Sequence, residues 1–270
     1  VLADLKFFGK DEIKDLTIQY GDKPPVVENF SLSLKKGEII TIVGESGSGK
    51  STVLSSILGL LPNGGKIISG DIIYNGNSML SKSLNQWREL RGTEITMISQ
   101  DSGGTLNPIR KIGKQFVEYI QTHSKMSVKE AEEKAKDMFS KVNLPDSEII
   151  MKSYPHQLSG GMKQRVGIAM ALTFHPKIIL ADEPTSALDV ITQAQIVKEI
   201  MELRKVFDTS IIMVTHNLGV AAYISDKIIV MQNGKIVDAG DKNAIINNSK
   251  SEYTKKLLAA VPEIGGERLV

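Results

Sequence analysis

The residues best equipped for chemistry stand in one short run, Gly44-Glu45-Ser46-Gly47-Ser48-Gly49-Lys50-Ser51-Thr52. The run fits the spacing G-x-x-x-x-G-K-[ST] without a mismatch. Gly47 and Gly49 let the backbone curl so that successive N–H groups point at phosphate oxygens, and a helix start behind them adds partial positive charge. In such a loop Lys50 reaches the β- and γ-phosphates of a nucleotide, and the Ser51 hydroxyl ligates Mg²⁺. The rival reading is a plain glycine turn. Context favours the phosphate site, because a buried run from Ile39 to Val43 precedes it and an apolar helical face of Val53, Leu54, Ile57 and Leu58 follows. A second candidate is Asp182-Glu183, at the end of the hydrophobic run that begins at Ile178. Neighbouring strand residues point to opposite faces, so the two carboxylates need different tasks. Asp182 suits Mg²⁺ held through its water shell, and Glu183 suits general-base work on an attacking water. Standing alone, the pair reads as a solvated loop start.

Elements able to position these groups can be read around them. Ile13 to Tyr20 and Phe30 to Leu34 have strand texture, and buried strands are expected at Lys177 to Asp182, Ser210 to Thr215 and Lys227 to Met231. Asn75-Gly76 and Asn233-Gly234 each predict a hairpin. Asn63-Gly64-Gly65 is expected to end the helix behind the phosphate loop. Between Leu84 and Phe174 the spacing turns helical, and Ser127 with Glu130 forms a capping box ahead of a face of Ala131, Ala135, Met138, Phe139 and Val142. The picture is an α/β core interrupted by a helical insertion.

Bulk composition narrows the field. The chain has 270 residues, 41% hydrophobic and 24% charged, with a formal net charge of +2. Such values suit a globular protein and give no electrostatic case for nucleic acid. Cysteine is absent, which excludes disulfides, thiolate metal sites and cysteine nucleophiles. No apolar run approaches the roughly 18–20 residues that span a bilayer, and Val1 to Lys10 lack the core of a signal peptide, so a soluble chain is expected.

Leu158-Ser159-Gly160-Gly161-Met162-Lys163-Gln164-Arg165 resembles the signature motif of ATP-binding cassette (ABC) proteins. Other motifs of that family follow in order. Tyr20 matches the aromatic that stacks on adenine, Gln100 the Q-loop that senses and ligates Mg²⁺, Ser186-Ala187-Leu188-Asp189 the D-loop, and His216 the switch histidine that contacts the γ-phosphate. The rival readings are that Tyr20 simply closes a half-buried strand and that His216 is a core histidine; stacking is favoured for Tyr20 because aromatic faces suit purines. His123, His156 and His175 share no ligand spacing and are assigned no chemistry. The resemblance implies a nucleotide-binding domain over 1–262, with a RecA-like core and antiparallel β-subdomain at about 1–83 and 175–250. A helical subdomain would occupy about 84–174, and 263–270 form a short tail.

Ser159, Gly160 and Gly161 make a second anion-friendly helix start, too many for one nucleotide. In ABC proteins the second start, with Gln164 behind it, caps the ATP of a partner cassette. The resemblance therefore implies ATP and Mg²⁺, a second and non-identical ATPase subunit, and two membrane permease subunits. An extracytoplasmic solute-binding protein would act indirectly, and the chain would sit peripherally on the cytoplasmic face of the membrane. Gln100-Asp101 with Leu106-Asn107-Pro108, Tyr154-Pro155-His156-Gln157, Tyr253-Thr254 and Leu257 to Pro262 resemble the peptide/nickel-uptake subfamily. Ser102 stands where that subfamily usually has proline, which affects loop stiffness. The short tail and missing cysteines point to the nickel, cobalt or metal-chelate branch, with a peptide importer as the alternative. An ABC ATPase acting on nucleic acid or ribosomes is disfavoured, because Gln100 to Ser159 leaves no room for a long coiled coil.

Overall fold

The computed structural model describes residues 11–62 and 64–260, and the backbone of 263–264 and 267–268. Expectations resting on Val1 to Lys10, on Asn63, and on Val261 and Pro262 lie outside the described residues. In chain order come β1 (Asp11–Tyr20), β2 (Val27–Leu34), β3 (Ile39–Val43), α1 (Lys50–Ile57), β4 (Gly65–Tyr74) and β5 (Asn77–Ser78). Next are α2 (Leu84–Leu90), β6 (Ile95–Ile98), α3 (Ser102–Thr105), α4 (Ile112–His123), α5 (Val128–Lys141) and α6 (Ser147–Lys152). Then follow α7 (Gly160–Leu172), β7 (Ile178–Asp182), α8 (Val190–Phe207), β8 (Ser210–Thr215) and α9 (Leu218–Ile224). The chain continues through β9 (Lys227–Gln232), β10 (Lys235–Asp241), α10 (Lys242–Asn248) and α11 (Glu252–Ala259), then the paired two-residue strands β11 (Glu263–Ile264) and β12 (Glu267–Arg268).

Two compact units emerge among the described residues, 11–87 with 210–260 and, separately, 88–209. The sequence pattern suggests breaks at 83/84 and 174/175, whereas the second unit also takes β7 and α8. Helix α8 is tied into it by an ion pair from Arg165 on α7 to Glu199.

In the first unit, β2-β1-β4-β5 form an antiparallel sheet. Strand β3 lies between β8 and β9, parallel to both, and β10 turns back along β9. All of β3 and β8 is buried, as parallel strands covered on both faces require. The two Asn-Gly turns form as expected, with positive φ at Asn75, Gly76, Asn233 and Gly234. Helix α1 stops at Ile57, short of the expected Asn63. Gly59 adopts φ +61°, and a Cβ there would meet the Trp87 ring at 2.7 Å. Gly59 ends the helix locally: its N–H donates to the Ser56 carbonyl and the Leu60 N–H to that of Ser55, both at 2.9 Å, the hydrogen bonds of a glycine C-terminal cap.

Strands β2 and β10 are the outer strands of their sheets. They touch near Glu28, whose N–H donates to the Gly234 carbonyl at 2.8 Å and whose carboxylate pairs with Lys235 at 2.9 Å. Beyond that contact they diverge around a wedge of about 800 Å³, with Ile13, Leu32, Ile40 and Ile236 among its apolar lining.

The second unit holds the parallel pair β6 and β7 and the helices α3 to α8. Strand β6 breaks the helical texture expected here. Its four residues are too few for a period to distinguish strand from helix. Ser127 caps α5 as expected: its hydroxyl accepts from the Glu130 N–H, and the Glu130 carboxylate accepts from the Ser127 N–H. The Ser127 hydroxyl and N–H, each donating to the Glu130 carboxylate at 2.7 Å, hold it below its ordinary 4.5. The stability they add is therefore present above that value and lost as pH falls through the lowered one. Ser127→Ala should lower the thermal midpoint at pH 7 by about 2–4 °C, as losing one N-cap does in a chain of this size. The gap to wild type should narrow in melts run progressively below pH 4.5.

Candidate functional site

Strand register explains how the first unit gathers its chemical groups. Val43 pairs with Thr215 and with Val230, so Gly44 and His216 leave adjacent parallel strands at the same carboxyl end. Ligands of open parallel sheets bind at that end. His216 is exposed there, which excludes the core-histidine reading.

The loop between β3 and α1 is a narrow cradle. A Cβ on Gly44 would lie 2.2 Å from the Met231 carbonyl oxygen, and one on Gly49 would lie 2.8 Å from that of Val26. Gly47 and Gly49 take φ values of +81° and +98°. Gly47 faces open space, so a ligand can approach its backbone. Gly49 caps α1 without a side chain, leaving first-turn N–H groups directed at the loop. Lys50 is 5% exposed and folds over the loop, its ammonium donating to the carbonyls of Gly44 at 2.8 Å and Glu45 at 2.7 Å. Ser51 is exposed and Thr52 half-buried in the first helical turn. Glu45, Ser46 and Gly47 are exposed, and Ser48 is buried. Curled glycines, helix-start N–H groups and one ammonium together fit a polyphosphate. Tyr20 ends β1 opposite Gly65, and a Cβ on Gly65 would meet its ring at 2.6 Å. The glycine lets the half-buried ring lie across the neighbouring strand.

The second unit gathers the remaining groups by the same rule. Ile98 pairs with Ala181, so Gln100, two residues past β6, and Asp182, the last residue of β7, lie at the carboxyl ends of neighbouring parallel strands. Gln100 is exposed, while Asp182 and Glu183 are half-buried. Glu183 has φ +44°, a left-handed turn that few non-glycine residues adopt. Among the described residues no three His, Cys, Asp or Glu side chains gather to hold a metal. Ser51 offers a hydroxyl in the first unit, and Gln100 and Asp182 offer an amide and a carboxylate in the second. Oxygen donors of these kinds suit Mg²⁺, which keeps water and phosphate ligands in preference to an all-protein cage.

Ser102, the departure from proline, is buried against α7, where a Cβ on Gly167 would meet its Oγ at 2.5 Å. Asp101 caps α3 by accepting from the Gly104 N–H at 2.9 Å. Capping and burial thus stiffen a loop that lacks the proline ring. Ser159 caps α7 by accepting from the Met162 N–H at 3.2 Å. Ser159 and Gly160 are exposed, whereas Gly161 is closed off by Thr192. Gln164 departs from the expected nucleotide contact. It is 4% exposed within the packed face of α7, and its amide nitrogen has no hydrogen-bond partner.

Helix α8 begins at Asp189, which accepts from the Thr192 N–H and hydroxyl at 3.0 and 2.7 Å. These bonds lower its carboxyl pKa. Sequence reasoning missed the clamp behind both motifs, where Arg165 donates through Nε and Nη2 to Glu199 at 2.8–3.2 Å. An i-to-j pair between two helices leaves no spacing signal. Both side chains are mostly shielded, at 16% and 12% exposure. Arg165→Ala should destabilise the protein by about 2 kcal/mol in denaturant titrations, the scale of charge-assisted hydrogen bonds left without a partner. The Arg165→Glu, Glu199→Arg exchange should recover part of that loss.

A family profile described as ABC transporter matches residues 27–186. The oligopeptide transport ATP-binding protein OppD of Bacillus subtilis is 42% identical over 257 residues, covering 94% of this chain and 72% of that one. The dipeptide transport ATP-binding protein DppD of Escherichia coli is 39% identical, covering 95% and 79%. Among solved structures, the dimeric ATP-binding cassette MJ0796 in a post-hydrolysis state with ADP and Pi superposes with a TM-score of 0.74. It is 29% identical, with 86% of this chain and 98% of that one covered. CbiO1 of Clostridium perfringens, part of the transporter complex cbiONQ, gives 0.76 at 25% identity, covering 94% and 96%.

Proposed function

We propose a function that proceeds from one premise: the chain belongs to the ABC transporter family, as an ATP-binding subunit. Its activity is ATP hydrolysis coupled to transport, on the ABC nucleotide-binding fold. The observation carrying the finer reading is the likeness, along nearly the whole chain, to oligopeptide and dipeptide transport subunits. From it we infer an importer subunit whose solute is a peptide. The metal-complex expectation finds no support in those relatives. It rested on the tail, and where a sequence ends says nothing about a solute.

In this reading the N–H groups of Ser46 to Ser51 and the Lys50 ammonium hold the β- and γ-phosphates of ATP. Tyr20 stacks on the adenine, and its half-buried ring across Gly65 supports that role. Ser51, Gln100 and Asp182 would hold Mg²⁺, which when bound offsets phosphate charge. Glu183 accepts the proton of the attacking water, and His216 contacts the γ-phosphate. The exposure of His216 beside the loop's own strand supports the assignment. Ser159, Gly160 and Gly161 cap the ATP of a partner cassette, and buried Gln164 shapes that helix from within. Val190 and Ile191, 81% and 74% exposed beside the D-loop, suit a surface that a second subunit covers.

That second subunit is a non-identical ATPase, and the pair docks on two permease subunits fed by a solute-binding protein. Among the described residues no helix is long and apolar enough to cross a membrane. Attachment at the cytoplasmic face therefore runs through the permease.

Glu183→Gln should leave ATP binding within a few-fold of wild type while turnover falls at least 100-fold, measured as phosphate release in the assembled transporter. Lys50→Ala should weaken ATP binding itself by tenfold or more in a calorimetric titration. Deleting the gene should abolish uptake of labelled oligopeptide and spare labelled nickel. The reverse pattern would restore the metal reading.

A further inference from the structure

One subfamily residue has no role in the chemistry above. Tyr253 opens helix α11, 208 residues from the phosphate loop, and its hydroxyl accepts a hydrogen bond from the Glu45 N–H at 3.1 Å. Glu45 is the loop's second residue, and its peptide groups are engaged on both sides. Its carbonyl accepts from the Lys50 ammonium at 2.7 Å and from the Ser48 N–H at 3.2 Å. The corner where β3 passes into the loop is therefore fixed by Lys50 from inside and Tyr253 from outside.

The tyrosine is itself firmly seated. Its ring and Leu257 pack on a cluster of Val43, Leu218, Ile228, Val230, Ile245 and Leu258. Val43 is the residue directly before Gly44, so the same cluster carries both the strand end and the helix that braces the loop. Ser251 caps α11 by accepting from the Thr254 N–H at 3.3 Å. Burial, reinforced by the Glu45 carboxylate, holds the phenol above its ordinary 10.0, so the hydroxyl stays protonated at neutral pH.

We propose that Tyr253 is a positioning residue for ATP, holding the entry corner of the phosphate loop so that the later N–H groups remain aimed at the phosphates. The inference rests on the ATP-binding reading and deepens it. A loop held in its binding shape loses less freedom when the ligand arrives. Without the hydroxyl the Glu45 N–H is free to seek water or phosphate, and the corner loosens.

The test compares wild type, Tyr253→Phe and Leu257→Ala as full-length chains, by calorimetric titration with ATP and by thermal melting without nucleotide. Tyr253→Phe keeps the ring and removes one hydrogen bond, so ATP should bind about three- to tenfold more weakly. Its melting temperature should stay within about 2 °C of wild type. Leu257→Ala keeps the hydroxyl and loosens the seat, so it should lower the melting temperature more and the affinity less. Wild-type affinity in Tyr253→Phe would overturn the inference, as would a loss of affinity in the two variants that merely tracks their loss of stability. A wild-type chain that fails to bind ATP would instead overturn the reading beneath it.

Discussion

Three glycines accept backbone atoms where any other residue would place a Cβ, and the shape of the phosphate loop depends on this close packing. Gly44 abuts the Met231 carbonyl, and both Gly49 and Gly234 abut that of Val26. One carbonyl in the link between β1 and β2 is thus wedged between the loop and the β9–β10 turn. The Gly234 N–H donates in turn to the Ser48 carbonyl at 3.2 Å. The antiparallel sheet and the parallel strands of the first unit therefore meet at the loop. At each of these glycines the nearest obstructing atom is a backbone carbonyl oxygen, which cannot swing aside as a side chain could.

What the sequence made legible follows from the range of the interactions involved. The phosphate loop, the Ser127 capping box and the two Asn-Gly turns need only residues a few positions apart, and each could be read directly. The parallel strands were legible because burial on both faces leaves uninterrupted runs such as Ile39 to Val43. Strand β6 was hidden because four apolar residues carry no usable period. The end of α1 falls earlier than Asn63 because Gly59, a glycine in the left-handed conformation, already caps it. At the site, Gln164 sits in a motif that suggests a nucleotide contact, but packing of α7 turns it inward. Tyr253 could be recognised as part of a motif, yet its partner lies 208 residues away.

Within the second unit, the Gln100 loop and the starts of α7 and α8 form one packed group. Ser102 sits on Gly167, Gly161 sits under Thr192, and Arg165 grips Glu199. None of these contacts can lengthen much without opening a gap or stranding a charge. These contacts tie the Gln100 loop to α7, and α7 to the start of α8.

The wedge between β2 and β10 has a bearing on how copies of the chain behave toward one another. An outer strand invites another chain to extend its sheet, and here two such strands face a common opening. Glu12, Lys14, Asp15, Glu28, Lys227, Lys235 and Asp241 line that opening, over a floor of isoleucine and leucine. Glu12 pairs with Lys14, Glu28 with Lys235 and Lys227 with Glu38, so a foreign strand seated there would have to break or desolvate these ion pairs. The mixed charges act as gatekeepers against edge-to-edge aggregation, and they leave the apolar floor intact for the core behind it.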